Sequence, residues 1–452
     1  MNFTKYEKYK DSGLDWLGVI PENWELNHIK RYCKNITDGA HTSPDTSSND
    51  FPFLTVVDLK NGELDFTNCL FTSKKDYEAL VRNGCNPAIN DVLYSKDGTI
   101  GETVVIEIDR NFVVGSSFII IKPNLKKYVP KYLKYSLASS IMQYQARIYV
   151  KGAGLPRISI FNLSKLFLSF PTISIQNFIS EYLDEKTVQI DKKIELLQVK
   201  KEKYQELKKT IIYQTVTKGL DKNIELKNTS IEWLGKIPKH WKLERLKNIF
   251  DERISKNLNL KTGEPITTNI LSVMKDVGVI NHRDKGLIGN KMSEDITNYK
   301  LVYPNDIVVN KMNVIIGSVG ISKEFGALSV IYIILITKKN CYAKYYDYLF
   351  KIRRFQKSLR RIATGILEIR EAVNMTLFMA QDLPLPPLKE QIEIADYLDE
   401  KTSKINEIIL TIDKNIEVLN EFRKTLINDA VTGKIKIAQS ENTPYERTAI
   451  TR

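Results

Sequence analysis

The residues of this chain that could do chemistry are cations set beside glycine-containing loops. Between Ile352 and Ile362 a helical period places Ile352, Phe355, Leu359 and Ile362 on one face, and Arg353, Arg354, Lys357, Arg360 and Arg361 on the other. A charged face is ordinarily just solvated, but no acidic residue interrupts Lys351 to Arg361, and the loop Ala363-Thr364-Gly365-Ile366 follows at once. Such a face suits the phosphates of a nucleic-acid backbone. Earlier, Ser95-Lys96-Asp97-Gly98-Thr99-Ile100-Gly101 carries the glycines of a nucleotide loop, yet no helix with a phosphate-facing N-terminus clearly follows. The expectation there is a strand-to-strand turn, which also has the means to present Lys96 to a phosphate. Lys96, Gly98, Lys151, Gly152, Arg157 and Lys311 therefore join the five helix cations as candidate contacts. These residue types serve base edges and phosphates alike.

Catalytic signatures are missing. The chain has no Gly-x-x-x-x-Gly-Lys-Ser/Thr loop, no Asp-Pro-Pro-Tyr or Asn-Pro-Pro-Tyr run, no convincing nuclease carboxylate cluster and no Gly-x-Ser-x-Gly elbow. Glu206-Leu207-Lys208 resembles a nuclease fragment, but mid-helix residues two apart point away from each other. Cys33, Cys69, Cys85 and Cys341 are widely spaced, the four histidines do not pair with them, and no metal site is expected. A net charge of +13 favours a polyanionic partner, nucleic acid before membrane. The longest apolar run, Ala327 to Ile336, is about half of a spanning helix and reads as a buried strand. The polar start, Met1 to Lys10, has no signal core, so a cytoplasmic location is expected.

The elements that must position these cations come in two copies. At 452 residues two or more domains are expected. The segment Trp16-Leu17-Gly18-Val19-Ile20-Pro21-Glu22-Asn23-Trp24 returns as Trp233-Leu234-Gly235-Lys236-Ile237-Pro238-Lys239-His240-Trp241, and these tryptophans are expected to pack each head segment on its core. Gln176 to Gly219 contains no proline or internal glycine and carries a heptad seam, Leu183, Ile190, Leu197, Tyr204 and Ile211, with Ile194 in a weaker second row. Gln391 to Gly433 repeats it, Tyr397 to Thr402 being identical to Tyr182 to Thr187, with Leu398, Ile405, Ile412, Leu419 and Leu426 on the seam and Ile409 beside it. Lys201, Lys208 and Arg423 at the seam either set register or snorkel at its edge. Short β-type runs fill each middle: Phe53 to Val57, Val92 to Tyr94 and Phe118 to Ile121, then Leu271 to Val273, Asp306 to Val309 and Val330 to Ile336. Each middle closes with an amphipathic helix, whose apolar face in the first copy is Leu133, Leu137, Ile141, Tyr144 and Ile148.

The doubled Trp-Leu-Gly-x-Ile-Pro-x-x-Trp head, a variable middle and Gln-x-x-Ile-x-x-Tyr-Leu-Asp-Glu-Lys-Thr opening a long helix resemble the specificity subunit of type I restriction-modification enzymes over nearly the whole chain. The resemblance implies a mixed α/β (α+β) fold with two target recognition domains in pseudo-twofold arrangement, joined by two long antiparallel coiled-coil helices. Its divisions are recognition domains at 1–170 and 221–385, long helices at 171–220 and 386–435, and a polar, disordered tail at 436–452. It further implies that the chain is non-catalytic and binds double-stranded DNA at an asymmetric bipartite target. Two modification subunits using S-adenosylmethionine to methylate adenine, and restriction subunits using ATP and Mg2+, are the expected partners, with no cofactor held by this chain. A coiled-coil scaffold tethering two protein partners without reading DNA is the alternative.

Overall fold

A computed structural model describes residues 4–60, 62–150, 156–286, 292–364 and 372–437. The chain divides into two compact units, Met1–Leu197 with Asp413–Arg452, and Gln198–Ile412. In the first, β1 (Cys33–Asp38), β2 (Val92–Ser95), β3 (Thr103–Val105) and β4 (Phe118–Pro123) form an antiparallel sheet in the order β3-β2-β4-β1. In the second, β5 (Phe250–Glu252), β6 (Ile307–Asn310), β7 (Val319–Ile321) and β8 (Tyr332–Thr337) repeat that topology as β7-β6-β8-β5.

Both sheets are covered on their two faces. Val92, Tyr94, Ile119 and Ile121 enter the main core of the first unit, while the alternating Leu93 and Ile120 enter a second core with Leu54, Val104 and Phe118. Ile307, Val309, Ile333 and Leu335 are divided from Val308 and Ile334 in the same way. Unbroken apolar runs, rather than apolar-polar alternation, are what doubly covered strands require. Leu59–Lys60 and Glu63–Leu64 pair as a small antiparallel hairpin, Leu59 opposing Leu64. The run Phe53 to Val57 does not continue as one strand: Phe51–Leu54 is extended, and a capping box between Thr55 and Asp58 then turns Val56–Asp58 into a 3-10 helix.

Helix α1 (Lys74–Arg82), with Ser73 accepting from the Asp76 amide at its cap, lies against a three-stranded sheet formed by Val113–Val114, Phe51–Leu54 and Leu70–Thr72. The helix expected to run through Leu133 and Ile148 is two helices, α2 (Pro130–Ala138) and α3 (Ser140–Tyr149), broken at Ser139. The break shifts the phase: Leu133 and Leu137 are buried, but Met142, Gln145 and Ala146 take the inward positions of α3, leaving Tyr144 53 % and Ile148 62 % exposed. A short α4 (Ile160–Leu163) follows. The second unit has α6 (Leu246–Ile249) where the first has a 3-10 turn at Ile29–Tyr32, then α7 (Ala343–Phe350), α8 (Arg353–Ser358) with a 3-10 turn at Leu359–Ile362, and α9 (Met375–Met379).

The long helices are α5 (Ile173–Lys218) and α10 (Leu388–Val431), each followed by a glycine at positive φ, Gly219 and Gly433. In the first unit Leu183, Ile190 and Ile194 of α5 share a core with Leu419, Leu426 and Ile427 of α10, and Arg423 Nη2 lies 3.5 Å from Asp191. In the second, Ile211 and Val216 of α5 share a core with Ile394 and Leu398 of α10, and Lys208 Nζ donates to Asn406 at 2.8 Å. Ile405 and Ile412 are buried, and Leu197, Tyr204, Ile211 and Ile409 are half-buried on the seam. Lys208 and Arg423 reach across to the opposite helix, the geometry that setting register requires. Trp24 and Trp241 are fully buried, packed against Gly433 and Gly219 just past the helix ends, while Trp16 is half-buried.

Candidate nucleic-acid interface

The five-cation face of the second unit forms as its period dictates. Ile352, Phe355 and Leu359 are buried, while Arg353, Arg354, Lys357, Arg360 and Arg361 are exposed. Several are steered rather than loose. The Arg353 guanidinium donates to Gln356, the Arg354 guanidinium lies 4.8 Å over the Tyr213 ring, and Arg361 pairs with Glu232 at the surface. Lys357 and Arg360 have no ion-pair partner among the described residues. Lys311, half-buried at the end of β6, accepts from the Val373 amide through its carbonyl.

The first unit departs from expectation. Gly98 sits in a strand-to-strand turn between β2 and β3, at φ +67 with open space around it. Lys96 is not a surface donor: it is 3 % exposed, and its ammonium donates to Asp38 at 2.6 Å. Asp38 also accepts from His41 at 2.9 Å, so Lys96 ties β2 to the end of β1 instead of reaching outward. Such a pair is invisible in sequence because its members are far apart along the chain. Arg157 is half-exposed and donates to Asp97 at 2.8 Å, which pins the segment after α3 against the turn. Lys151 and Gly152 lie outside the described residues, as do Gly365, Ile366 and the tail beyond Ile437. What the sequence missed is the exposed set Tyr144, Ile148 and Phe161, with Lys165 3.8 Å above the Phe161 ring. The signal was Ser139, a helix-capping residue type in mid-pattern.

Each recognition face is held to its long helix by the same clasp. Gln176 is fully buried; its carbonyl oxygen accepts from the Val129 amide at 2.8 Å and its amide donates to the Lys127 and Pro171 carbonyls. Tyr135 donates to Asp184 at 2.6 Å and lies 3.2 Å from Thr187, while Lys131 donates to the other Asp184 oxygen at 2.8 Å. In the second unit Gln391 accepts from Tyr342 and donates to Asn340 and Pro386, Tyr348 donates to Asp399 at 2.7 Å and lies 3.2 Å from Thr402, and Lys344 donates to Asp399 at 3.1 Å. Tyr132 and Tyr345 complete the match, donating to the last turns of α10 and α5 at Val431 and Val216. The repeated hexapeptide is thus the helix half of a socket, which explains why Asp and Thr recur three residues apart.

A family described as the type I restriction modification DNA specificity domain matches residues 21–209 and again 238–418. The chain belongs to this family. As a specificity subunit it is a DNA-recognition protein without catalytic activity, the chemistry belonging to partner subunits, and the scaffold alternative is not favoured. The specificity subunit is 22 % identical over 97 % of its length to the putative type I restriction enzyme MjaX specificity subunit of Methanocaldococcus jannaschii, covering 99 % of that protein. It is 24 % identical over 97 % of its length to the MjaVIII specificity subunit of the same organism, covering 98 % of it. Among solved structures, the HsdS subunit from Thermoanaerobacter tengcongensis shares the fold at TM-score 0.54 and 13 % identity, over 92 % of this chain and 98 % of that one. A chain from work on complex assembly and conformational transition of a type I R-M system does so at TM-score 0.69 and 13 % identity, over 92 % and 99 %. No group of His, Cys, Asp and Glu suited to a metal occurs among the described residues of the specificity subunit, and none of their helices is long and apolar enough to cross a membrane.

Proposed function

We propose that the specificity subunit reads an asymmetric, bipartite duplex target, one half-site per unit, with α5 and α10 setting the spacer between them. The observation that carries this is the contrast between a repeated frame and unlike faces: sheet order and clasp recur bond for bond, whereas the exposed surfaces differ in charge. Identical domains would read a palindrome; domains with one frame and different faces read unequal half-sites. The partners in this reading are two modification subunits carrying S-adenosylmethionine and restriction subunits using ATP and Mg2+, with no cofactor on this chain and a cytoplasmic location. Mapping methylated adenines in cells carrying this chain with its modification partner tests the proposal. Two unequal half-sites at a fixed spacing are expected; a palindrome, or methylation without sequence preference, would overturn it.

A further inference from the structure

Counting from the tyrosines that make equal bonds, Tyr132 with Tyr345 and Tyr135 with Tyr348, aligns α3 on α8 without a gap. Burial agrees at seven of the ten aligned positions. Met142 and Phe355 point inward, as do Ala146 and Leu359, while Tyr144 and Lys357, Arg147 and Arg360, and Ile148 and Arg361 are exposed. The two units therefore present the same helix face to solvent with different chemistry. In the second it is a row of cations. In the first it is an aromatic and apolar patch, Tyr144 and Ile148, extended by Phe161 of the neighbouring α4, with Arg147 and Lys165 exposed around it.

We propose that this face of α3 and α4 is a DNA-contacting surface of the first recognition domain, and that it binds its half-site by apolar contact with base edges where the second domain uses phosphate contacts. The proposal rests on the bipartite reading above. Divergence at equivalent exposed positions is what separates a DNA surface from a protein surface here. Two identical modification subunits would meet the two units through like residues, as the clasp residues are alike; unequal half-sites would be met through unlike ones. The cations rimming the patch suit a polyanion, and apolar and aromatic side chains suit the thymine methyl groups on major-groove base edges.

The test uses the full specificity subunit with its modification partner and a duplex carrying the sequence found by mapping methylated adenines. Tyr144→Ala with Phe161→Ala is expected to weaken binding about tenfold to a hundredfold, with the salt dependence unchanged. That loss should vanish on a duplex whose first half-site is scrambled. Arg360→Ala with Arg361→Ala should instead flatten the slope of log affinity against log salt by about 1.8 whatever the sequence. Tyr144→Lys with Ile148→Arg, which copies the chemistry of the second unit, should steepen that slope by about 2 while discrimination at the first half-site falls. All these side chains are exposed, so melting should not move. Unaltered DNA binding by the alanine pair, or loosened association with the modification partner or a changed oligomeric state in its place, would overturn the proposal. Failure of the unsubstituted complex to prefer any sequence would instead overturn the bipartite reading.

Discussion

Gln176 and Gln391 show how much one buried side chain can decide. Each bonds one amide and two carbonyls around it, the Pro171 and Pro386 carbonyls among them in buried surroundings. Gln176→Ala strands these groups at about 1–3 kcal/mol apiece, so the amide of Val129 is expected to exchange with solvent far faster, and unfolding of the first unit to come at lower denaturant. Asp38→Ala leaves the Lys96 ammonium buried without its carboxylate, at a cost of roughly 3–5 kcal/mol; Lys96→Met in the same background should recover most of it, measured by thermal melting. At this scale the sequence was legible where a residue acts locally and opaque where it acts at a distance. Arg353 to Arg361 emerged on the expected face because helical period is a local property. Lys96 was misjudged because only the folded sheet brings Asp38 beneath it.

Elements tell the same story with one reversal. The seams of α5 and α10 were readable residue by residue, since a heptad repeats whatever its partner does, and the doubled hexapeptide named the partner. The sheets were readable as apolar runs, though not their order, which rests on pairings far apart in the chain. The helix after β4 was misread because its apolar period continues through Ser139, whereas Ser139 takes an extended backbone and its hydroxyl donates back to the Ser136 carbonyl, ending α2 and letting α3 start with a new phase. How the elements are clasped predicts a pH response. Hydrogen bonding to Asp184 raises the pKa of Lys131, and hydrogen bonding to Asp399 raises that of Lys344. A lysine raised on folding stabilises fully below its ordinary value, about 10.4, and loses that contribution as pH climbs through the raised one. Melting temperature should therefore fall above about pH 10.4 beyond what Asp184→Asn with Asp399→Asn shows, and the two proteins should differ by a constant amount from pH 6 to 9.

For the whole molecule, the family, the duplication and the division into a shared frame and private middles were all present in the sequence. The private surfaces were not, because what makes them surfaces is the burial of everything around them. One expectation belongs to this scale alone. Inserting four residues into α5 near Lys200–Lys208, and four opposite them in α10, lengthens both helices by about 6 Å, close to two base-pair steps. Methylation mapping of that variant should find the same half-site bases at a longer spacer; altered bases at the old spacer would remove the helices from their role as ruler.

Because Gln176, Asp184 and Thr187 offer the same bonds as Gln391, Asp399 and Thr402, neither helix distinguishes the domain it was born beside. A middle carrying the two tyrosines and the lysine fits either socket. On the bipartite reading, a chimaera that replaces one middle and keeps the flanking repeats is expected to fold on its old frame and to read a new combination of half-sites. Specificity in such a chain would then change in blocks, each block held by the same hexapeptide, Tyr182 to Thr187 or Tyr397 to Thr402.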